Sequence, residues 1–257
     1  MISFNSAEEL LSLLALFLWP MIRISAFIIS APLFSLDVIN LRVRIIVSAM
    51  LTYFVFENLT IPTIDPLSAE GLWQIVIQAF IGVTMGFLLQ IVSAAVLVGG
   101  EAISNAVGLG FASMVDPNLG NVPLIAQFMT ILSTFVFLTV GGHLFVIQLL
   151  FDSFINVPIG TVPPLGQWLT ILTSWFPYIF IGAINLALSM MVSMLLLNIG
   201  LGVITRSAPA LNIIAVGFPA ILLVGLLALN LNIAAMVYSI QRLWGLAVET
   251  LQVLPGV

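Results

Sequence analysis

Long apolar runs, separated by charges and turn signals, dominate the pattern of this chain. Four blocks without a charged residue cover residues 71–100, 117–151, 153–205 and 207–241, and they are thirty to fifty-three residues long. A helix needs only about 20 apolar residues to span a bilayer. Because the blocks are continuously apolar and do not alternate with a period of two, they predict hydrophobic helices and not the strands of a β-barrel.

Turn signals divide these runs into six predicted helices. The five breaks are rich in proline, glycine and asparagine and lie at residues 31–32, 58–66, 108–123, 157–166 and 207–209. Several of the helices exceed the length that a bilayer requires. Proline lacks an amide hydrogen and bends a helix, and three prolines fall inside the predicted helices: Pro20, Pro177 and Pro219. The predicted fold is all-α, an integral-membrane-type protein of about six long, proline-kinked hydrophobic helices.

Composition places the chain in or beside a membrane. Hydrophobic residues make up 62% and charged residues 6%, against about 45–50% and about 25% in ordinary globular domains. So few charges cannot cover a water-soluble surface, so the chain contacts lipid or equally apolar chains. There is no cysteine and one histidine, and the five basic residues are scattered arginines. These counts argue against a metal site, a cofactor, an enzyme or binding to nucleic acid.

The break at residues 108–123 is the most unusual segment. Its three glycines and two prolines oppose a regular helix, yet it contains residues that a solvated loop rarely carries: Leu109, Phe111, Met114, Val115 and Leu119. Irregular backbone at membrane depth is tolerated only where protein buries it or where it lines a cavity. The residues alone leave two interpretations open, an apolar stopper in a pore and a connection lying on the membrane surface.

Four ionisable residues stand out against the apolar background: Arg23, Glu101, His143 and Arg206. A charge at the bilayer centre costs roughly 2.5 to 3.5 kcal/mol, so Arg23 needs a compensating group. An ion path would use it directly, whereas snorkelling or an ion pair with a neighbouring subunit would only satisfy it. Glu101 and His143 are each open to a proton-handling role or to a plain interfacial one. We interpret all four as polar residues at subunit interfaces.

Three stretches together resemble the FliR-type family of the flagellar and type III secretion export gate. The first is RISAFIISAPLFS at residues 23–35, with Arg42 and Arg44 soon after it. The second is GFASMVDP at residues 110–117, followed by GGHLFVIQLLFDSF, and the third is LGVITRSAPALNIIAVGFP at residues 201–219. The resemblance in the order and spacing of these stretches extends over nearly the whole chain.

The resemblance implies a subunit that assembles with FliP and FliQ into a hetero-oligomeric gate for unfolded export substrates. The gate belongs to the bacterial inner membrane and the flagellar basal body, and it stands partly above the membrane plane on the periplasmic side, in contact with lipid. FlhB is expected as a separate chain, and other export components supply the energy. Within a single unit, residues 1–257, the resemblance implies a FliP-like part (1–160) and a FliQ-like C-terminal hairpin (161–257).

The family's internal plug corresponds to residues 108–122 here, which favours the stopper interpretation. The implied plug residues are Leu109, Phe111, Met114, Val115, Asp116 and Pro117, and the implied hinges are Gly108, Gly110 and Gly120. The alternative function is a secondary transporter or a channel for small solutes. Such transporters are built from repeated halves with matching interrupted helices, and the sequence contains no convincing internal repeat.

Overall fold

Eight helices account for the regular structure of the described part of the chain. The structure is a computed structural model that describes residues 7–33, 39–58, 61–109, 123–207 and 213–254. Within these ranges all regular secondary structure is helical, which confirms the all-α prediction. The helices are α1 (Ala7–Ser30), α2 (Leu41–Asn58), α3 (Ala69–Ala106), α4 (Leu124–Thr139), α5 (Gly142–Asn156), α6 (Leu165–Trp175), α7 (Pro177–Ser207) and α8 (Ile213–Val253).

Two of the predicted helices are divided by short breaks. Val140 and Gly141 separate α4 from α5, and Gly141 has a φ of 76°, a value that favours glycine and ends a helix. Phe176 alone separates α6 from α7, because Pro177 lacks the amide hydrogen that would continue the helix. The six predicted helices therefore correspond to eight observed ones, each divided pair having been counted once.

Three segments of the described chain are long and apolar enough to cross a bilayer. They are α3, the segment Leu165–Ile204 and the segment Pro219–Val253, and α4 with α5 forms a fourth if the two count as one broken span. In α3 61% of the most apolar window is buried, but only 11% is buried in Pro219–Val253. An apolar surface of that extent is not stable in water, so lipid or other chains cover it.

The chain divides into two compact units. The first comprises Met1–Gln90, Gly142–Trp175 and Ala247–Val257, and the second comprises Ile91–Gly141 and Phe176–Leu246. The boundaries fall within α3 and near the end of α8, so long helices contribute to both units. The predicted division into a FliP-like part (residues 1–160) and a FliQ-like C-terminal hairpin (161–257) stays a prediction.

In the first unit, α1 and α3 cross in close contact because α3 carries glycine at the contact. A Cβ atom at Gly82 would overlap the carbonyl oxygen of Arg23, and one at Gly86 would overlap the hydroxyl oxygen of Ser30. The absence of both side chains lets the two backbones approach closely, as small residues do between helices in membranes. This crossing fixes the position of Arg23 relative to α3.

The crossing yields a first prediction, for Gly82→Ala. The added methyl group must displace the α1 backbone, which we expect to destabilise the protein by about 1–3 kcal/mol. Thermal unfolding of the detergent-solubilised protein measures the effect. Gly245→Ala in α8 is the matched control, since no atom outside its own helical turn lies within 4 Å of its Cβ position and alanine favours a helix over glycine by up to about 1 kcal/mol. A melting temperature of Gly82→Ala at or above that of the parent contradicts the prediction.

Candidate functional site

The predicted plug loop begins at a well-defined helix end in the second unit. The amide of Leu109 donates to the carbonyl of Ser104 at 3.0 Å, and the amide of Gly108 donates to the carbonyl of Asn105 at 3.1 Å. These two bonds form a Schellman motif, the common glycine-dependent end of an α-helix. Gly108 adopts a φ of 86°, which side chains oppose. Gly108 therefore sets the direction in which the chain leaves α3.

The other root of the loop is a proline-led helix start. Pro123 precedes α4 with φ −56° and ψ 138°, and its carbonyl accepts a bond of 3.1 Å from the amide of Gln127. Downstream of it, α4 packs directly on α3, because a Cβ atom at Gly100 would lie 2.5 Å from the Cα atom of Ala126. Only glycine at position 100 permits this approach. The two helices that flank the loop are thus held together near its roots.

A third helix holds the start of the loop. Val107 is fully buried, and a Cβ atom at Gly225 of α8 would lie only 2.6 Å from one of its methyl groups. The side chain of Ile221, one turn earlier on α8, is the nearest group to Gly108 at 3.8 Å from its Cβ position. The α3 root of the loop is therefore fixed by packing against α8, in addition to its own hydrogen bonds.

Of the predicted plug and hinge residues, Gly108 and Leu109 are described, and both are half-buried. The others lie outside the described residues: Gly110, Phe111, Met114, Val115, Asp116, Pro117 and Gly120. The structure thus defines the helical roots from which a plug would extend. The plug role itself stays a prediction.

The first unit contains a fully buried charge, that of Arg23. Its Nε donates to Oε1 of Gln78 at 2.7 Å, and one terminal nitrogen donates to the carbonyl and hydroxyl oxygens of Ser153 at 2.7 and 3.1 Å. The other terminal nitrogen donates to the carbonyl of Val157 at 2.9 Å. The guanidinium carbon also lies 4.2 Å from the centre of the Phe154 ring, a cation–π contact. Each nitrogen of the guanidinium therefore has a partner.

These partners explain how a charge is stable at 0% exposure. The carbonyls of Ser153 and Val157 lie at the C-terminal end of α5, where the helix dipole concentrates partial negative charge. None of the described partners of Arg23 is a carboxylate, so a helix end, an amide oxygen and an aromatic face compensate the charge. The sequence interpretation placed Arg23 at a subunit interface or on an ion path. The structure accounts for its charge entirely within its own chain.

A second amide extends this network. Nε2 of Gln78 donates to Oε1 of Gln74 at 3.1 Å, and that oxygen also accepts a bond of 3.3 Å from the amide of Gly160. Both glutamines are buried. Gln74 and Ser153 are not among the residues predicted from the sequence. The four-residue spacing of Gln74 and Gln78 is a usable signal, since it places two amides on one helix face. The network joins α1, α3, the end of α5 and the segment that follows α5.

The other predicted polar residues lie on three different helices. Glu101 is half-buried on α3, and Arg206 is exposed in the last turn of α7, where a positive charge complements the helix dipole. His143 is half-buried at the start of α5, and its Nδ1 atom is buried without a hydrogen-bond partner. In the described part of the chain no three acidic or histidine side chains form a group that could hold a metal ion.

Long apolar helices and a largely outward-facing apolar surface define an all-α, membrane-type protein. Comparison with known proteins identifies a family within this class. Residues 14–247 match the family described as bacterial export proteins, family 1. The chain is 38% identical over 232 residues to the flagellar biosynthetic protein FliR of Pectobacterium carotovorum, covering 90% of this chain and 88% of the relative.

Two further relatives carry the same name. FliR of Escherichia coli is 38% identical over 222 residues, 86% of this chain and 85% of its own length. FliR of Bacillus subtilis is 25% identical over 249 residues, 95% of this chain and 96% of its own length. The chain therefore belongs to bacterial export protein family 1, among the FliR proteins.

Proposed function

We propose that this chain is a subunit of the flagellar protein export gate, in which it assembles with FliP and FliQ around a conduit for unfolded flagellar proteins. Membership in a family of export proteins, with relatives named for flagellar biosynthesis, supports the export role. The observation that carries the sealing role is the apolar loop 108–122, which contains hinge glycines and joins α3 to α4, two helices that are in contact at Gly100 and Ala126. Its α3 root is held by hydrogen bonds and by packing against α8, which supports a stopper.

Sealing follows from the side chains of the loop. A narrow conduit lined with apolar groups excludes water and thereby blocks ions. Phe111 supplies bulk, and Met114 is flexible enough to close an irregular gap and to yield to a passing chain. Gly110 and Gly120 permit movement at either end, while Asp116 and Pro117 favour a turn between them.

Partner subunits account for the outward apolar surface. We assign the cover of α7 and α8 to FliP and FliQ, with lipid over the remainder, in the inner membrane at the flagellar basal body and partly above it on the periplasmic side. FlhB contributes as a separate chain. The most exposed large apolar side chains on these helices are Phe180, Leu196, Leu223, Leu227, Leu231, Tyr238 and Val253. Proton-driven transporters contain several interacting intramembrane ionisable groups. Only 6% of the residues of this chain are charged, so we assign the energy supply to other export components.

Purification in mild detergent tests the proposal. We expect the tagged chain to retain two other membrane proteins in fixed ratio, as measured by native mass spectrometry, because the apolar face of α8 is stable only when covered. Recovery of a stable monomer of 27.7 kDa contradicts the gate. Proton- or sodium-coupled solute uptake by that monomer in liposomes establishes the transporter alternative.

A further inference from the structure

In the first unit, α2 buries two hydroxyl side chains and presents a stripe of apolar residues outward. The side chains that α2 buries are Ser48, Thr52 and Val55. The face it presents outward includes Ile46, Met50 and Tyr53, which are 57%, 68% and 57% exposed. This is the reverse of the arrangement that a helix adopts at a water-exposed protein surface.

The buried hydroxyls are stable because their own helix satisfies them. The hydroxyl of Ser48 donates to the carbonyl of Arg44 at 2.8 Å, and that of Thr52 donates to the carbonyl of Ser48 at 2.7 Å. With these bonds made inside the helix, the inward face needs no polar partner. The inward face is therefore stable by itself. Apolar side chains exposed on the outward face are unfavourable in water, which indicates that they face a non-aqueous neighbour.

The outward face carries one charge at each end. Arg42, Ile46, Met50, Tyr53 and Glu57 recur at three- and four-residue spacings, so they lie along one stripe of α2. Arg42 and Glu57 are both exposed and are about 22 Å apart along the axis at 1.5 Å per residue. The hydroxyl of Tyr53 donates to Glu57 at 2.6 Å and holds that carboxylate over the stripe.

These two charges are placed against the helix dipole. A basic residue in the first turn and an acidic residue in the last turn each meet a helix end of their own sign, which is unfavourable. Arg42 and Glu57 therefore do not stabilise α2 as a helix. Their positions are explained if groups outside the chain, of opposite sign, lie opposite each of them.

Lipid does not match this pattern. The uncharged stretch between Arg44 and Glu57 is twelve residues long, or about 18 Å of helix, against a hydrocarbon core about 30 Å thick. A protein helix with an apolar centre and charged ends fits both the length and the charges.

We propose that the outward face of α2 docks a helix of a different protein subunit, with an acidic group opposite Arg42 and a basic group opposite Glu57. The apolar centre of that helix covers Ile46, Met50 and Tyr53. The inference rests on the proposed hetero-oligomer in requiring a second subunit, and it adds the surface and the charge pattern of the contact. The charges of Arg42 and Glu57 fix the direction of the partner helix, because the reversed direction would bring like charges together.

Photocrosslinking in native membranes tests the docking surface. The photoreactive residue p-benzoylphenylalanine, placed at Met50 in the full chain and in the presence of the whole export apparatus, is expected to give one discrete protein adduct. Arg42→Glu and Glu57→Arg are each expected to reduce the adduct yield about tenfold. Glu70→Arg, at an exposed glutamate in the first turn of α3, is the matched control and leaves the yield unchanged. Placement at Tyr53 repeats the measurement independently.

The other outcomes of the crosslinking experiment distinguish failure of the docking surface from failure of the gate. Lipid adducts alone, from a chain that still co-purifies with two subunits, overturn the docking surface and leave the proposed gate intact. A stable monomer overturns the gate itself. An adduct of twice the chain's own mass identifies a second copy and overturns the inference, as does an adduct yield that neither charge reversal changes. Reversing the charge of the crosslinked partner residue is expected to restore the yield of the corresponding α2 variant.

Discussion

Deletion of residues 109–116 is expected to make the assembled gate leak ions and small solutes. The deletion removes the apolar groups of the loop, including Phe111 and Met114, while the contact between Gly100 and Ala126 still holds α3 against α4. A gate sealed by excluded water conducts once its apolar constriction is lost, and we expect conductance to rise on the order of tenfold or more. Ion flux across membranes of cells that carry the whole complex measures the effect.

Two variants separate the apolar seal from loop length. Replacement of residues 109–116 by glycine and serine keeps the connection but removes the seal, and it is expected to leak as the deletion does. Met114→Leu keeps the apolar bulk and is expected to stay closed. Unchanged permeability of the deletion variant, with all subunits still present by mass, contradicts the plug role of the loop.

The helical fold follows from sequence because its breaks are marked by strong backbone signals. The predicted breaks at residues 31–32, between α1 and α2, and at 157–166, between α5 and α6, fall on described residues and lie at or between the ends of helices. Proline and glycine cause these breaks locally. The breaks at Gly141 and Phe176 interrupt the helix for only one or two residues and leave the apolar run continuous, so hydrophobic periodicity does not reveal them.

The partners of Arg23 in the buried network could not be predicted from the sequence. The desolvation of Arg23 predicts that some group compensates it, but Gln78 lies 55 residues away and Ser153 lies 130 residues away. Two of the partners are carbonyls at the end of α5, and a backbone carbonyl has no residue type by which to recognise it. Likewise, apolar residues occur all around α2, so its sequence alone does not reveal that Ser48 and Thr52 face inward.

Arg23→Met is expected to be the most destabilising single substitution in the first unit. Methionine approximates the length of the side chain but donates no hydrogen bond, so the amide oxygen of Gln78 and the carbonyl of Val157 lose their buried donor. Each unsatisfied buried acceptor costs about 1–3 kcal/mol, which gives a loss of about 3 kcal/mol in the free energy of unfolding. In a chain of this size that corresponds to a melting temperature lower by about 6–12 °C. The fluorescence of Trp19 and Trp168, both fully buried, reports the transition in detergent.

Three further variants identify the cause of that loss. Arg23→Lys keeps the charge, but its single nitrogen cannot serve the separated oxygens of Gln78 and Val157, so an intermediate loss is expected. Arg242→Met removes an exposed arginine and is expected to be neutral. Adding Gln78→Leu to Arg23→Met removes one orphaned acceptor, so the double variant is expected to lose less than the sum of the two single losses. An Arg23→Met protein as stable as the parent means that apolar packing replaces the network without loss, as it does for some buried ion pairs, and contradicts the structural role assigned to the charge.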